Sequence, residues 1–248
     1  PQVWGDHFLK DLHDMLVSTC TTHKVHDVEF FVNKRDFPHL RRDHTRDPYP
    51  FFSATAQKHN RFEHLCPILS FYTSPEYADI PLPLPQDWNP PALANDPAWE
   101  DRICTAFFRG SATGAGTTPE TNPRLRLAHM SHTDNRKHKG VPYLDAGITS
   151  WNMRDKKTEG NPVSHIQPDT LKFDLQPYIP LESQAHYRYI IYVDGHCAAS
   201  RYSQLMHTGS VILKVESSRC GHDLWFFPLL TPFQDHVPVR EDLSDLYQ

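Results

Sequence analysis

The sequence predicts an α/β fold in which parallel strands are joined by crossover helices. Short apolar runs typical of buried strands occupy residues 105–108, 143–148, 187–193 and 211–215. Helical patterns lie between some of these runs, over residues 122–131 and 202–207. Polar stretches containing Gly, Ser and Arg follow two of the strands, as expected at the carboxyl edge of a parallel sheet.

The chain before residue 100 is predicted to form a separate lobe. Residues 5–19 carry apolar side chains at helical spacing, which indicates an amphipathic helix packed on the body of the protein. Strand-like runs follow at residues 28–32 and 68–72. Prolines between residues 80 and 100 exclude a continuous helix or central strand, so we predict lobes at residues 1–100 and 101–248.

Asp36 lies just beyond the strand predicted at residues 28–32, and Pro38 restricts the backbone that follows. Ligands of open α/β sheets gather at the carboxyl ends of strands, so Asp36 is a candidate catalytic residue. The alternative is a structural carboxylate that pairs with Arg35 or Arg41, or that caps a turn.

A candidate anion site follows the strand at residues 105–108, where Arg109, Gly110 and Ser111 end the apolar run. Asn122 then begins a helix as its cap, with proline at the next position. A strand, a flexible loop and a helix N-terminus together form a recurring anion site. The loop has neither the lysine of a Walker A motif nor the glycine spacing of a dinucleotide fingerprint. A surface loop with a structural glycine is the alternative.

The same arrangement recurs after the strand at residues 187–193, where Asp194 and Gly195 are followed by Ser200 and Arg201. Two arginine-bearing loops of this kind are a more specific signal for an anion site than one. The planar guanidinium of Arg binds phosphate oxygens through two hydrogen bonds. The residues therefore predict a site for a small phosphorylated ligand.

Composition excludes several classes of protein. The net charge of −5 over 248 residues argues against a general nucleic-acid-binding protein, which needs a surplus of Lys and Arg. The absence of a run of 18 apolar residues argues against a membrane span. The first residues lack the pattern of a secretory signal, although a processed N-terminus would look the same.

Cysteine and histidine usage favours neither a disulfide framework nor a metal site. The 5 cysteines form no CxxC pair, and we predict mostly buried thiols. Two short-spaced histidine pairs, His23 with His26 and His129 with His132, lack a matched second pair, so solvated or hydrogen-bonded histidines are favoured. No Asp-x-Asp pair, which commonly holds the divalent cation of nucleotide-sugar enzymes, occurs in the chain.

Several segments follow one another in the order of a known family. They are NKRDFP at 33–38, AFFRGS at 106–111, YIIYVDG at 189–195 with Ser200 and Arg201 after it, GSVILK at 209–214, and HVPV at 236–239 followed by DLSDL at 242–246. Together they resemble glycosyltransferase family 90, which includes fungal capsule-associated xylosyltransferases and animal Rumi-type protein O-glucosyltransferases. The resemblance spans most of residues 28–246.

The resemblance implies a GT-B architecture, with two Rossmann-like lobes and a cleft between them. It also implies transfer of a sugar from a UDP-sugar with inversion at the anomeric carbon, without a metal or other cofactor. Asp36 would be the general base. The residues that would bind the UDP-sugar are Arg109, Gly110, Ser111, Thr113, Gly114, Arg124, Asp194, Gly195, Ser200 and Arg201.

The acceptor would be a hydroxyl of a glycan or a protein, bound by the first lobe. Residues 39–50 and 73–80 are the candidate walls of that site, with His39 and Tyr77 as acceptor-side residues. Solvated loops are the alternative for both stretches.

The donor and the compartment follow from a narrower resemblance. The compact chain without paired cysteines resembles cytosolic enzymes of large algal viruses, which favours UDP-xylose and a cytoplasmic location. UDP-glucose is the alternative donor, and the secretory lumen is the alternative compartment if a signal segment has been removed.

Two other functions compete with sugar transfer. One is a glycoside hydrolase that uses Asp36 with Glu76 or Asp194 as its carboxylate pair. The other is a non-catalytic lectin or nucleotide-sugar sensor on the same scaffold, because a fold does not guarantee activity.

Overall fold

The computed structural model describes residues 6–42, 67–88, 97–134, 136–156, 162–218 and 223–248. The chain divides into two compact units, the first comprising Pro1–Pro90 and His222–Pro228, the second comprising Pro91–Gly221 and Leu229–Gln248. The assignment of functions to residues 1–100 and 101–248 stays a prediction.

The first unit begins with helix α1, Asp6–Thr22, as its apolar spacing predicts. Leu12 and Met15 are buried, whereas Leu9 is 51% exposed, so the helix buries a narrow apolar stripe. The short helix α2, Pro85–Trp88, contacts α1.

The first unit contains a small parallel sheet in the order β1-β2-β4, formed by β1 Phe31–Asn33, β2 Ile68–Ser70 and β4 Ile80–Pro81. Strand β3, Tyr72–Thr73, pairs antiparallel with β11, Asp223–Leu224. The prediction of a strand at residues 28–32 is wrong at its start. Pairing with β2 begins only at Phe31, and Val28 is 62% exposed.

The second unit is built on a five-stranded sheet in which every neighbouring pair is parallel, in the order β12-β10-β9-β5-β8. Its strands are β5 Ile103–Gly110, β8 Leu144–Ile148, β9 Tyr187–Tyr192, β10 Val211–Val215 and β12 Val237–Val239. The α/β prediction with parallel pairing is confirmed.

The strand order sets where a ligand can bind. Read from β8, the strands follow the chain order second, first, third, fourth and fifth, a doubly wound order whose switch point lies between β5 and β9. Connections leave neighbouring strands in opposite directions there, so a crevice forms at the carboxyl edge.

Helices and short ribbons complete the second unit. They are α3 Pro123–Thr133, the hairpin of β6 Lys137–His138 with β7 Val141–Pro142, α4 Leu181–Gln184 and α5 Tyr202–Met206. Leu125 and Leu127 of α3 are fully buried against a core that includes Phe108, Ile148 and Ile191. This burial holds α3 against the sheet.

Cys20, Cys104 and Cys197 form no disulfide, and the other two cysteines lie outside the described residues. Cys20 is exposed and the other two are partly buried, so the expectation of mostly buried thiols is not met by these three. No helix in the described part of the chain has both the length and the apolar composition needed to cross a lipid bilayer.

Candidate functional site

Two loops lie at the switch point of the large sheet. The first loop, residues 111–122, follows β5, and the second loop, residues 193–201, follows β9. They contact each other closely, because a Cβ added to Gly195 would lie 2.8 Å from Thr113 Oγ1, and one added to Gly114 would lie 3.3 Å from the Gly195 carbonyl oxygen. The two arginine-bearing loops predicted from the sequence therefore form one cluster, and its glycines permit the close approach.

Arg124 ties the two loops together. Its guanidinium donates to the carbonyl oxygens of Ser111 at 3.0 Å, Val193 at 2.8 Å and Asp194 at 2.9 Å. The residue is 4% exposed, and burial, followed by the nearby charge of Arg201, lowers the pKa of Arg124 to about 10. The side chain stays a cation at neutral pH, and carbonyl groups rather than a carboxylate solvate it.

Arg201 lies beside Arg124 at the end of β5. Its guanidinium donates to the carbonyl oxygen of Arg109 at 2.5 Å, and burial lowers its pKa. A Cβ added to Gly110 would lie 3.4 Å from Arg201 Nη2 and 3.5 Å from Arg124 Nη1. Both predicted cations therefore border the same glycine.

Arg109 differs from the other two arginines because its charge is neutralised. It forms an ion pair of 2.8 Å with Asp145 on the neighbouring strand β8, and its side chain is 7% exposed. It also donates to the carbonyl oxygens of Phe108 and Asp145. Its predicted contact with a donor stays a prediction, and what the structure shows is a link between β5 and β8.

The predicted donor-binding residues with hydroxyl side chains lie within the two loops, Ser111 and Thr113 in the first and Ser200 in the second. Ser111 Oγ accepts a hydrogen bond of 2.8 Å from Ser150 Oγ, and the Thr113 carbonyl oxygen accepts one of 3.1 Å from the Asn122 amide. Ser200 lies in the second loop directly before Arg201, the residue that precedes helix α5 as its N-cap. The structure thus brings the predicted donor-binding residues of both loops into one region of the second unit.

Asn122 connects helix α3 to the first loop. Its side-chain oxygen accepts from the backbone N–H groups of Arg124 and Leu125, as an N-cap does, which confirms the predicted helix start. Its amide nitrogen donates to the carbonyl oxygens of Thr113 and Gly116. One fully buried side chain therefore both caps the helix and shapes the loop.

Two substitutions at Asn122 are expected to separate these roles. Asn122→Asp keeps the capping oxygen and loses the two donors to the loop, whereas Asn122→Ala loses both. We expect Ala to cost roughly 2 kcal/mol of unfolding free energy or more, because a cap and a buried amide are both lost. Urea unfolding of the two variants measures this cost, and an Ala variant as stable as the wild type would contradict the expectation.

Lys156 is a buried cation that the sequence analysis missed. It is 3% exposed, and its ammonium donates to the carbonyl oxygens of Ala112 at 2.7 Å and Gly114 at 2.9 Å. Burial and the charge of Arg124 lower its pKa to about 8. It lies in a polar stretch without clear periodicity, so no local sequence signal marked it.

The charge around the two loops is unbalanced. Arg124, Arg201 and Lys156 form no ion pair with a carboxylate among the residues the structure describes. Asp194 lies beside them, accepts a hydrogen bond of 3.3 Å from the Ala199 N–H and has a pKa raised by burial. The more exposed carboxylates of Asp155, Glu216 and Glu241 line the cavity that Lys156 also lines. Such a surplus of buried positive charge suits an anionic ligand.

Asp36 lies in the first unit, three residues after β1, where it is exposed to solvent. Among the described side chains none pairs with its carboxylate. The Arg35 guanidinium lies over the Phe37 ring at 5.8 Å, and Arg41 donates to the Tyr77 hydroxyl at 3.1 Å. The alternative of an Asp36 ion pair is thus not realised.

A buried polar network holds the turn that carries Asp36. The Asn33 amide donates to the Phe37 carbonyl oxygen at 2.7 Å and to Ser70 Oγ at 3.0 Å, and Ser70 Oγ donates to Asp79 at 2.6 Å. The Asp79 carboxylate also accepts from the backbone N–H groups of residues 39 and 40. The turn is therefore anchored on both sides of Asp36.

The acceptor-side candidates belong to the same region of the first unit. His39 is partly buried, and its ring lies 5.7 Å from that of Phe37. Tyr77 is 8% exposed. Of the stretch predicted to wall the acceptor site, residues 43–50 lie outside the described residues.

No metal centre is formed by the side chains that the structure describes. Across those ranges, no group of three or more His, Cys, Asp or Glu residues is placed to hold an ion. The two histidine pairs singled out in the sequence thus have no further ligand there.

Comparison with known proteins identifies the wider group. The family model of glycosyl transferase family 90 matches residues 10–248. A protein of Invertebrate iridescent virus 6, named uncharacterized protein 179R, is 33% identical over 98% of this chain and 25% of its own length. Uncharacterized protein 027R of Frog virus 3 (isolate Goorha) is 35% identical over 90% of this chain and 25% of its own length.

Animal relatives are more distant. Protein O-glucosyltransferase 3 of Homo sapiens is 26% identical over 95% of this chain and 41% of its own length. The chain thus spans about a quarter of the length of these viral relatives and about two fifths of the human one.

Proposed function

Because the chain belongs to glycosyltransferase family 90, we propose that it transfers a sugar from a UDP-sugar to a hydroxyl of a glycan or protein acceptor. The transfer inverts the anomeric carbon and needs no divalent metal. The two units are the lobes of a GT-B enzyme, with the donor bound by the second unit.

The observation that carries the proposal is the cation cluster at the switch point. Arg124, Arg201 and Lys156 lie at the carboxyl edge of the parallel sheet and form no ion pair with a carboxylate in the described part of the chain. A diphosphate supplies the missing negative charge. In a site shielded from water, fixed cations also stabilise the charge that develops on UDP as it leaves.

This role supports the proposal that no metal is required. Transfer from a UDP-sugar breaks the bond between the anomeric carbon and the β-phosphate oxygen, and the electron pair stays on UDP. Nucleotide-sugar enzymes that use a cation for this charge commonly hold it through an Asp-x-Asp pair, which the sequence lacks. Arginine side chains provide the equivalent charge.

Asp36 is the proposed general base. A sugar or protein hydroxyl is a weak nucleophile, and a carboxylate that takes its proton as the new bond forms accelerates transfer. The exposure of Asp36, the absence of a pairing side chain in the described ranges and the anchored turn support this role. His39 and Tyr77 are proposed to contact the acceptor.

The donor sugar is proposed to be xylose or glucose. UDP-xylose is the donor that the resemblance stated from the sequence favours. The names of the animal relatives, protein O-glucosyltransferases 2 and 3, favour UDP-glucose with a protein acceptor. A panel of both donors with glycan and protein acceptors, with UDP release as the readout, decides between them.

Arg201→Met tests the proposed donor site. Loss of a charge-assisted hydrogen bond is expected to weaken UDP binding about tenfold to a hundredfold, measured by isothermal titration calorimetry. The matched control is Arg240→Met, since Arg240 belongs to the same unit and its side chain is 67% exposed. A wild-type protein that does not bind UDP, or a chelator that abolishes transfer, would contradict the proposal.

A further inference from the structure

We propose that Lys156 is a positioning residue of the donor site, which aims backbone N–H groups of the first loop at the donor diphosphate. The inference rests on the proposed function, because it deepens the description of the same site. The Lys156 ammonium group donates hydrogen bonds to the carbonyl oxygens of Ala112 and Gly114, which are 44 and 42 residues away in the chain.

Burial of the Lys156 ammonium group costs free energy. Lys156 is 3% exposed, and its ammonium has lost most of its contact with water. Its neighbours are carbonyl groups and a second cation, Arg124, rather than a paired carboxylate. Burying a lysine in this way is unfavourable for the free protein, and a bound anion offsets the cost.

Peptide geometry then sets the direction of the loop donors. The carbonyl of Gly114 and the N–H of Ala115 belong to one planar trans peptide, so they point in opposite directions. Because Lys156 holds the Gly114 carbonyl, the Ala115 N–H points away from the lysine. The same holds for Ala112 and the Thr113 N–H, although that N–H donates to the Ser111 carbonyl oxygen at 2.8 Å.

The loop offers several such donors together. The backbone N–H groups of Gly114, Ala115 and Gly116 have no acceptor among the described residues. Gly114 and Gly116 have φ values of +102° and +85°, which only glycine adopts readily. Successive free N–H groups in turns of this kind form concavities that bind anions, phosphate above all.

The location agrees with a diphosphate site. Lys156, Gly114 and Ala115 line a cavity of about 180 Å³ together with Gly195 of the second loop and Pro123 at the start of α3. That cavity lies at the carboxyl ends of β9 and β10, at the edge where Arg124 and Arg201 border Gly110. Lys156 lines this cavity itself, as do the exposed or partly exposed carboxylates of Asp155, Glu216 and Glu241, whereas Arg124 and Arg201 border Gly110 outside its lining.

The test compares ligands with and without phosphate. In Lys156→Met the loop amides lose their orientation, so UDP affinity is expected to fall about tenfold to a hundredfold while uridine affinity changes less than about twofold. Lys156→Arg is expected to restore part of the UDP affinity. Lys172→Met, an exposed lysine of the same unit, serves as the matched control and is expected to bind both ligands as the wild type does.

Two outcomes overturn the inference. If Lys156→Met binds UDP as tightly as the wild type, or if it loses UDP and uridine equally, the lysine does not orient phosphate-binding groups. The proposed function fails separately, namely if the wild-type protein itself does not bind UDP.

A titration of the wild-type protein keeps the test valid if Lys156→Met does not fold. Arg124 is the charged group that acts on the lysine, and the other titratable groups that line its cavity are Asp155, Asp194, His196, Glu216 and Glu241. The lysine has a pKa of about 8 and loses its charge as pH rises through that value. The ratio of UDP to uridine affinity is therefore expected to fall between about pH 7 and about pH 9, and a constant ratio would overturn the inference.

Discussion

Asp36→Asn is expected to slow sugar transfer about 10²- to 10⁴-fold, because the amide has the shape of the carboxylate but cannot accept the acceptor proton. Affinity for UDP is expected to stay within about twofold of the wild type, since Asp36 belongs to the first unit and the donor loops belong to the second. Steady-state UDP release with saturating donor and acceptor measures the first effect, and calorimetry measures the second.

Asp27→Asn is the matched control for that experiment. Asp27 is also exposed and precedes the same strand β1, yet it lies outside the anchored turn. We expect it to retain full activity. Full activity of Asp36→Asn would instead show that another group takes the proton. A wild-type protein that binds UDP without any turnover would favour the non-catalytic alternative. Hydrolysis of a synthetic glycoside without any nucleotide would favour the glycosidase alternative.

Arg124→Met is expected to have the largest effect on stability. It removes the donors to three carbonyl oxygens, those of Ser111, Val193 and Asp194, in a site that is 4% exposed. Leaving buried carbonyls without partners is expected to cost about 3 kcal/mol or more of unfolding free energy. Arg124→Lys is expected to recover little, because one ammonium cannot reproduce the fixed geometry of the guanidinium.

Arg126→Met provides the comparison within the same helix. Arg126 donates to the carbonyl oxygens of Pro119 and Glu120, close by in the chain, and it is only partly buried. Its replacement is expected to cost less than about 1 kcal/mol in urea unfolding. Equal unfolding midpoints for the Arg124 and Arg126 variants would contradict the assigned role of Arg124.

Local features of the second unit could be read from the sequence because neighbouring residues determine them. The strand predicted at residues 105–108 and the helix predicted at residues 122–131 are present as β5 and α3. Asn122 and proline after it mark the helix start in both descriptions. Apolar periodicity and capping depend on residues within a few positions, so a pattern is enough to detect them.

The partners of charged side chains could not be read in the same way. Arg109 and Arg201 look equivalent in sequence, since each belongs to a segment with Gly and Ser that follows an apolar strand. Arg109 meets Asp145, which lies 36 residues further along the chain, whereas Arg201 meets a carbonyl oxygen. Lys156 reaches its partners across 42 and 44 residues. Register between strands and packing of loops decide these distances.

Sequence alone determined four of the five strands of the large sheet, the two arginine-bearing loops and the membership of a family of sugar transferases. Those features reside in short apolar runs, caps and ordered motifs. Tertiary structure decided the strand order, the merging of both loops into one cluster, the neutralisation of Arg109 and the burial of Lys156. Each of these depends on which distant segments lie side by side, and therefore on the packing of the whole sheet.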